Sequence, residues 1–163
     1  MNLSIFNFLF GFSQNHFIAN SALFLSYYFD YILIAFVLIY SFFTERKVIN
    51  FLLFALAGGV SWIFANILKY IFHTARPFLE HNIIPLVYEH SYGFPSQHTA
   101  VFTSLAVAGY FINKKLGIFL GFCALFIGIS RIVIGVHYPI DILGGAILGG
   151  FVGYLLVKIF KEI

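Results

Sequence analysis

Five strongly apolar stretches follow one another along this chain, with only short polar clusters between them. Residues 23–43, 48–72, 96–113, 116–134 and 139–159 predict five transmembrane helices, because a hydrocarbon core about 30 Å thick takes roughly 20 apolar residues per crossing. Glu45-Arg46-Lys47 and Lys114-Lys115 mark two of the breaks, and Pro95-Ser96 and Pro139 mark two helix starts. Residues 2–18 are also apolar and aromatic, but Asn7, Gly11, Ser13, Gln14, Asn15 and His16 interrupt them. That pattern predicts an interfacial helix rather than a crossing, with a sixth span if it does cross. Residues 73–95 mix Glu80, His81, Glu89 and His90 with Ile83, Ile84, Leu86, Val87 and Tyr88. This stretch is expected to lie in the membrane interface and to act as a lid.

Composition sharpens the picture. Of 163 residues, 61% are hydrophobic and 9% charged, against roughly a quarter charged in a soluble domain. A soluble fold is excluded, and the expectation is an all-α integral membrane protein: a bundle of about five helices in one domain over residues 1–163. The single cysteine, Cys123, lies in an apolar run with no partner for an internal disulfide. No basic residue precedes the first apolar segment, which argues against a cleaved secretory signal and for a retained first span.

The cations sort by side once the spans are drawn. Arg46, Lys47, Lys114, Lys115, Lys158 and Lys161 fall on one side, and Lys69, Arg76 and Arg131 on the other. By the positive-inside rule the first side is cytoplasmic, which puts the second group, with His73, His81, His90, His98 and His137, outside. The localisation this implies is the cell's inner, or plasma, membrane. In the last span Gly145, Gly149 and Gly153 repeat every four residues, a face that lets another helix approach closely and holds its own helix rigidly.

Three clusters on the outer side carry the candidate chemistry: Lys69 with Arg76-Pro77, then Pro95-Ser96-Gln97-His98, then Ser130-Arg131 with His137 and Asp141. Lys69 and Arg76, seven apart, share a face if one helix runs through both. Ser96 reads as an N-cap with free backbone N–H groups behind it. A helix N-terminus with two arginines and a lysine suits a multiply charged tetrahedral anion, and phosphate is the obvious candidate. A helix starting near Pro139 lets Asp141 fold back on His137 and fix its tautomer. Two histidines with ordinary pKa values of about 6.5 then serve as nucleophile and acid in one cycle. His98, His137 and Asp141 are alternatively a metal-ligand set, though Arg76 and Arg131 beside them would repel a cation. Asp30 and His16 read as groups that satisfy other buried polar atoms, and His73, His81 and His90 as loop polar groups.

On these residues the chain resembles the type 2 phosphatidic acid phosphatase superfamily, whose pattern is Lys, six residues, Arg-Pro; Pro-Ser-Gly-His; and Ser-Arg, five residues, His, three residues, Asp. Lys69, Arg76, Pro77, Pro95, Ser96, His98, Ser130, Arg131, His137 and Asp141 match it, over a motif region of residues 69–141. Gln97 stands where the pattern has glycine. The resemblance implies that His137 attacks phosphorus and becomes phosphohistidine, that Asp141 orients it, and that His98 protonates the leaving oxygen and later activates water. It gives Lys69, Arg76, Arg131, Ser96 and the N–H groups near Gln97 to the phosphate oxygens, with no metal and no cofactor. Gln97 is expected to add a side chain at the pocket rim, which bears on substrate shape.

The implied partner is a lipid phosphate in the bilayer, not a nucleic acid. Residues 135–149 are similar to the same stretch of the small bacterial undecaprenyl-diphosphatases of this superfamily, which points to undecaprenyl diphosphate. Phosphatidate, phosphatidylglycerophosphate and lipid A phosphatases share the chemistry. A small anion or lipid-phosphate transporter would also want outer cations, yet it has no need of two histidines and an aspartate so arranged. Soluble vanadate-binding haloperoxidases share the motif but not the apolar spans.

Overall fold

The computed structural model describes residues 2–162, and every regular element among them is helical. The order is α1 (Asn2–Gly11), a short 3-10 turn (Phe12–Gln14), α2 (His16–Tyr27), α3 (Phe29–Ser41), α4 (Lys47–Phe72), α5 (Pro77–His81), α6 (Gln97–Ile112), α7 (Lys114–Val133) and α8 (Pro139–Lys161). Three of these are long and apolar enough to cross a membrane: α4 with its continuation to His81, α7 and α8. The pair α2 and α3 makes a fourth if its two halves form one span, bent by 43°. The five predicted stretches are all helical, but the 16-residue α6 falls short of a crossing by length. It is the central post of the bundle, packed against α4, α7 and α8.

Residue size explains that place. Along α6, Ala100, Ser104, Ala106, Ala108 and Gly109 are buried, and α8 meets it with its glycines. A Cβ at Gly145 would stand 2.5 Å from the Ser96 carbonyl oxygen and one at Gly153 2.9 Å from that of Ser104, while one at Gly149 would strike the Ala100 carbonyl. The four-residue repeat is therefore a backbone-to-backbone seam. Leu53, Phe54, Phe102, Leu105, Leu120 and Ile127 fill the space where α4, α6 and α7 meet. Large apolar side chains such as Phe36, Phe119, Phe126, Ile147 and Phe151 point outward and are exposed, which only a lipid surround makes favourable.

Several local expectations are corrected. The helix that leads into the first predicted stretch begins at His16 rather than near Leu23, because Asn15 accepts from the N–H groups of Phe17 and Ile18 and so caps α2. Residues 16–18 thus leave the predicted interfacial helix, which shrinks to α1. His16 itself is exposed and satisfies no buried group. No single helix carries both Lys69 and Arg76: α4 ends at Phe72, His73 takes a left-handed conformation (φ 48°), and Arg76 becomes the N-cap of α5. Gly135 (φ 86°) makes the other sharp turn, where a side chain would be strained and would meet the Phe10 ring.

The glycine seam makes a stability prediction. Gly149→Ala forces a methyl into the Ala100 carbonyl and should lower stability by about 1–3 kcal/mol, read as a drop in thermal midpoint in detergent. Gly150→Ala, next along the helix and with open space at its Cβ, should leave the midpoint unchanged or raise it. Equal effects would mean that the seam does not hold α8.

Candidate active site

The site is built at one end of the bundle by the last turn of α4, the first turns of α6 and α8, the end of α7 and the loops between them. Arg76 and Arg131 are among the largest fully buried side chains of the protein, and Lys69 is buried with them. Burying such a cation without compensation costs on the order of several kcal/mol, so the partners of each are informative. Lys69 Nζ donates to the carbonyls of Tyr92 and Gly93, the latter at 3.1 Å. Arg76 donates from Nε to the Ser91 carbonyl (2.6 Å), from Nη1 to the Val136 carbonyl (2.9 Å) and from Nη2 to Ser91 Oγ (2.9 Å). Residues 73–95 thus wrap the cations, tied down by Gly93 N and Phe94 N, which donate to Thr74 O and Oγ1.

A carboxylate that sequence reasoning passed over completes this shell. Glu89 places Oε2 2.6 Å from Arg76 Nη2, and its Oε1 accepts from Arg131 Nη2. One acidic side chain therefore bridges the two guanidiniums. Arg131 still keeps Nε and Nη1 without a hydrogen-bond partner among the described residues, which leaves directed donors for an anion.

His137 lies against this cluster, almost completely buried. Its Nδ1 is 3.2 Å from Asp141 Oδ2, and its Nε2 is 3.4 Å from Arg76 Nη1. Asp141 sits in the first turn of α8, and the same Oδ2 accepts from the Tyr138 backbone N–H at 2.8 Å. The predicted fold-back of Asp141 on His137 is thus present, on a helix that does start at Pro139. Burial first, then Arg76, Arg131, Lys69 and His98, hold the His137 imidazole well below its ordinary pKa. Tyr138 is pushed up by burial and by donating to Glu80 Oε2 at 2.6 Å.

Ser96 caps α6 as predicted, its Oγ accepting from Thr99 N (3.4 Å) and Thr99 Oγ1 (3.1 Å). Gln97 and His98 follow, half-buried, on a cavity of about 300 Å³ that Arg131, Glu89 and Asp30 also line. His98 Nε2 lies 3.2 Å from Asp30 Oδ2. Asp30 does pair with another polar group, and that partner is the half-buried His98, one of the two motif histidines. Its signal in the sequence was its standing as the sole charge of the first span. Glu89 offered none beyond being an acid in the loop. His98, His137 and Asp141 do not form a metal-ligand cluster, and no group of three His, Cys, Asp or Glu among the described residues does. His73, His81 and His90 are exposed.

A helical membrane bundle whose buried cations surround a carboxylate-held histidine has the donors and charge to receive an anion. The PAP2 superfamily profile matches residues 47–163, and the chain belongs to that superfamily. It is 28% identical, over 97% of its length and 83% of the relative's, to the undecaprenyl-diphosphatase BcrC of Bacillus subtilis. It is 35% identical to phosphatidylglycerophosphatase B of the same organism, over 74% of this chain and 62% of that one. The crystal structure of a transmembrane PAP2-type phosphatidylglycerolphosphate phosphatase from Bacillus subtilis superposes with a TM-score of 0.75 at 26% identity, covering 99% of this chain and 87% of that one. The protein is therefore a multi-pass membrane protein of the PAP2 phosphatase class.

The lowered pKa of His137 has a consequence for stability. The folded protein keeps this imidazole neutral, whereas the unfolded chain takes up a proton below about pH 6.5. The contribution is present above that pH and is lost as pH falls through it. His137→Gln should therefore make the fall of the thermal midpoint between pH 7 and pH 5 shallower. An unchanged slope would mean that His137 protonates freely in the fold.

Proposed function

We propose that this chain hydrolyses undecaprenyl diphosphate to undecaprenyl phosphate and inorganic phosphate at the outer face of the inner membrane, through a phosphohistidine, as a single domain. The observation that carries the reading is His137, held by Asp141 at Nδ1 and presenting Nε2 among three buried cations. In the first step the Nε2 lone pair bonds to the terminal phosphorus as its bond to the leaving oxygen breaks, and that oxygen takes a proton from His98. In the second, water attacks phosphorus and gives a proton to His98, the N–P bond breaks, and phosphate leaves. Lys69, Arg76 and Arg131 stabilise the charge on the transferring group. The N-terminus of α6, with Ser96 at its cap and Gln97 at the rim, takes a phosphate oxygen. These fixed cations supply the charge that a metal supplies elsewhere, so no metal or cofactor enters the cycle.

Two features support the substrate and the face. The relative named as an undecaprenyl-diphosphatase aligns with nearly the whole chain. Arg46 and Lys161 line a cavity at the end of the bundle away from the site, so the positive-inside rule turns the site outward. Phosphatidylglycerophosphate is the second reading, favoured by the likeness to phosphatidylglycerophosphatase B.

Purified protein assayed on a panel of lipid phosphates separates the two. We expect higher kcat/KM on undecaprenyl diphosphate than on phosphatidylglycerophosphate, phosphatidate or lipid A, and a preference for any of the last three would replace the substrate while keeping the chemistry. Activity should survive EDTA, be blocked by vanadate and disappear in His137→Ala; loss on chelation, restored by a divalent ion, would overturn the metal-free cycle. For the face, Glu80→Cys in a Cys123→Ala background should react with an impermeant thiol reagent on intact cells, and Lys114→Cys should not. The opposite order would move the site to the cytoplasmic face.

A further inference from the structure

We propose that Asp30 is the positioning residue of His98, so that the site holds two histidine–carboxylate pairs rather than one. The proposal rests on the acid and base role given to His98 above. The pairs are alike with their nitrogens exchanged. His137 turns Nδ1 to Asp141 and keeps Nε2 for phosphorus, whereas His98 turns Nε2 to Asp30, 3.2 Å away, and keeps Nδ1. A carboxylate facing one nitrogen of a neutral imidazole holds the N–H there and leaves the lone pair on the other. For His98 that other nitrogen is Nδ1, which takes the proton of the attacking water and, once charged, gives it to a leaving oxygen.

Asp30 is placed for this by features that packing alone does not require. It lies in the first turn of α3, two residues past the bend at Tyr28. Before the bend, Ser26 Oγ hydrogen-bonds Ser130 Oγ at 2.9 Å, which fastens the end of α2 beside Arg131. Asp30 then faces His98 across the cavity that Arg131, Glu89 and Gln97 also line. Its other oxygen, Oδ1, is buried without a hydrogen-bond partner among the described residues. An acid kept only to complete the fold would be expected to have both oxygens satisfied. The one partner it has among the described residues is the histidine.

The test is Asp30→Asn, which keeps the shape and removes the charge. On undecaprenyl diphosphate kcat should fall roughly 10- to 100-fold while KM changes by less than about threefold, and Asp30→Glu should recover part of the loss. 4-Nitrophenyl phosphate has a leaving group that needs no proton, so rapid mixing of Asp30→Asn with it should give a burst of 4-nitrophenol and an accumulating phosphoenzyme, because only water activation is slowed. Asp30→Asn added to His98→Ala should cost nothing further. A full additional loss in the double variant, or a raised KM with unchanged kcat, would show that Asp30 acts elsewhere and overturn the pairing. Wild-type kcat in His98→Ala would sink the role of His98 itself, and the pairing with it.

Discussion

Everything at the polar end of this protein follows from burying Lys69, Arg76 and Arg131 inside an apolar bundle. Three like charges so close repel, and each loses hydration that an apolar interior cannot replace. The fold meets this with backbone carbonyls. Tyr92, Gly93, Ser91 and Val136 supply four of them, and residues 91–93 stand outside any helix, where their carbonyls are free to accept: carbonyls tied up in helical hydrogen bonds would be poorer acceptors. Burial first, and then the same cations, hold His137 well below its ordinary pKa, so the charges that would hold an anion also keep the imidazole lone pair free beside it.

Rigidity comes from the other half of the molecule. The α6–α8 seam sets the helix carrying Asp141 against the helix that begins at Ser96, with glycine permitting an approach that a β-carbon would block. Ser96 N donates to the Asp141 carbonyl at 3.0 Å, which joins the two helix starts directly. The aromatic helix α1 closes over the result: Phe6 packs edge-on against Tyr138 at 5.4 Å, and Asn2 accepts from Ile140 N. Placement of His137 thus depends on contacts as remote in sequence as the first residues of the chain.

What could be read from the chain beforehand was local or of fixed spacing. Ser96 as a cap, a helix starting at Pro139 and Asp141 four residues past His137 all depend on neighbours in sequence, and the structure has them. The bend at Tyr28 was not legible, since hydropathy measures how apolar a segment is and not where its axis points. Lys69 and Arg76 were placed on one helix because nothing in the run Tyr-Ile-Phe-His-Thr-Ala announces a break, and the left-handed His73 is a decision of the tertiary fold. The partners of the charges were least visible. Glu89 meets Arg131 across 42 residues, and Asp30 meets His98 through the packing of separate helices, distances over which no periodicity reports.

The Glu89 bridge changes what arrival at this pocket means. Two guanidiniums already share a counter-ion that belongs to the polypeptide, so under the proposed function an incoming phosphate would take part in an exchange instead of filling an uncompensated field. The free energy of occupancy would then be the difference between two large attractions, and it would favour ligands with more than one negative charge over singly charged ones such as chloride. When a doubly charged group departed, the tethered carboxylate would stand ready at high effective concentration to take its place. A pocket of this kind discriminates by valence while keeping its grip moderate, which suits a catalyst that has to let go.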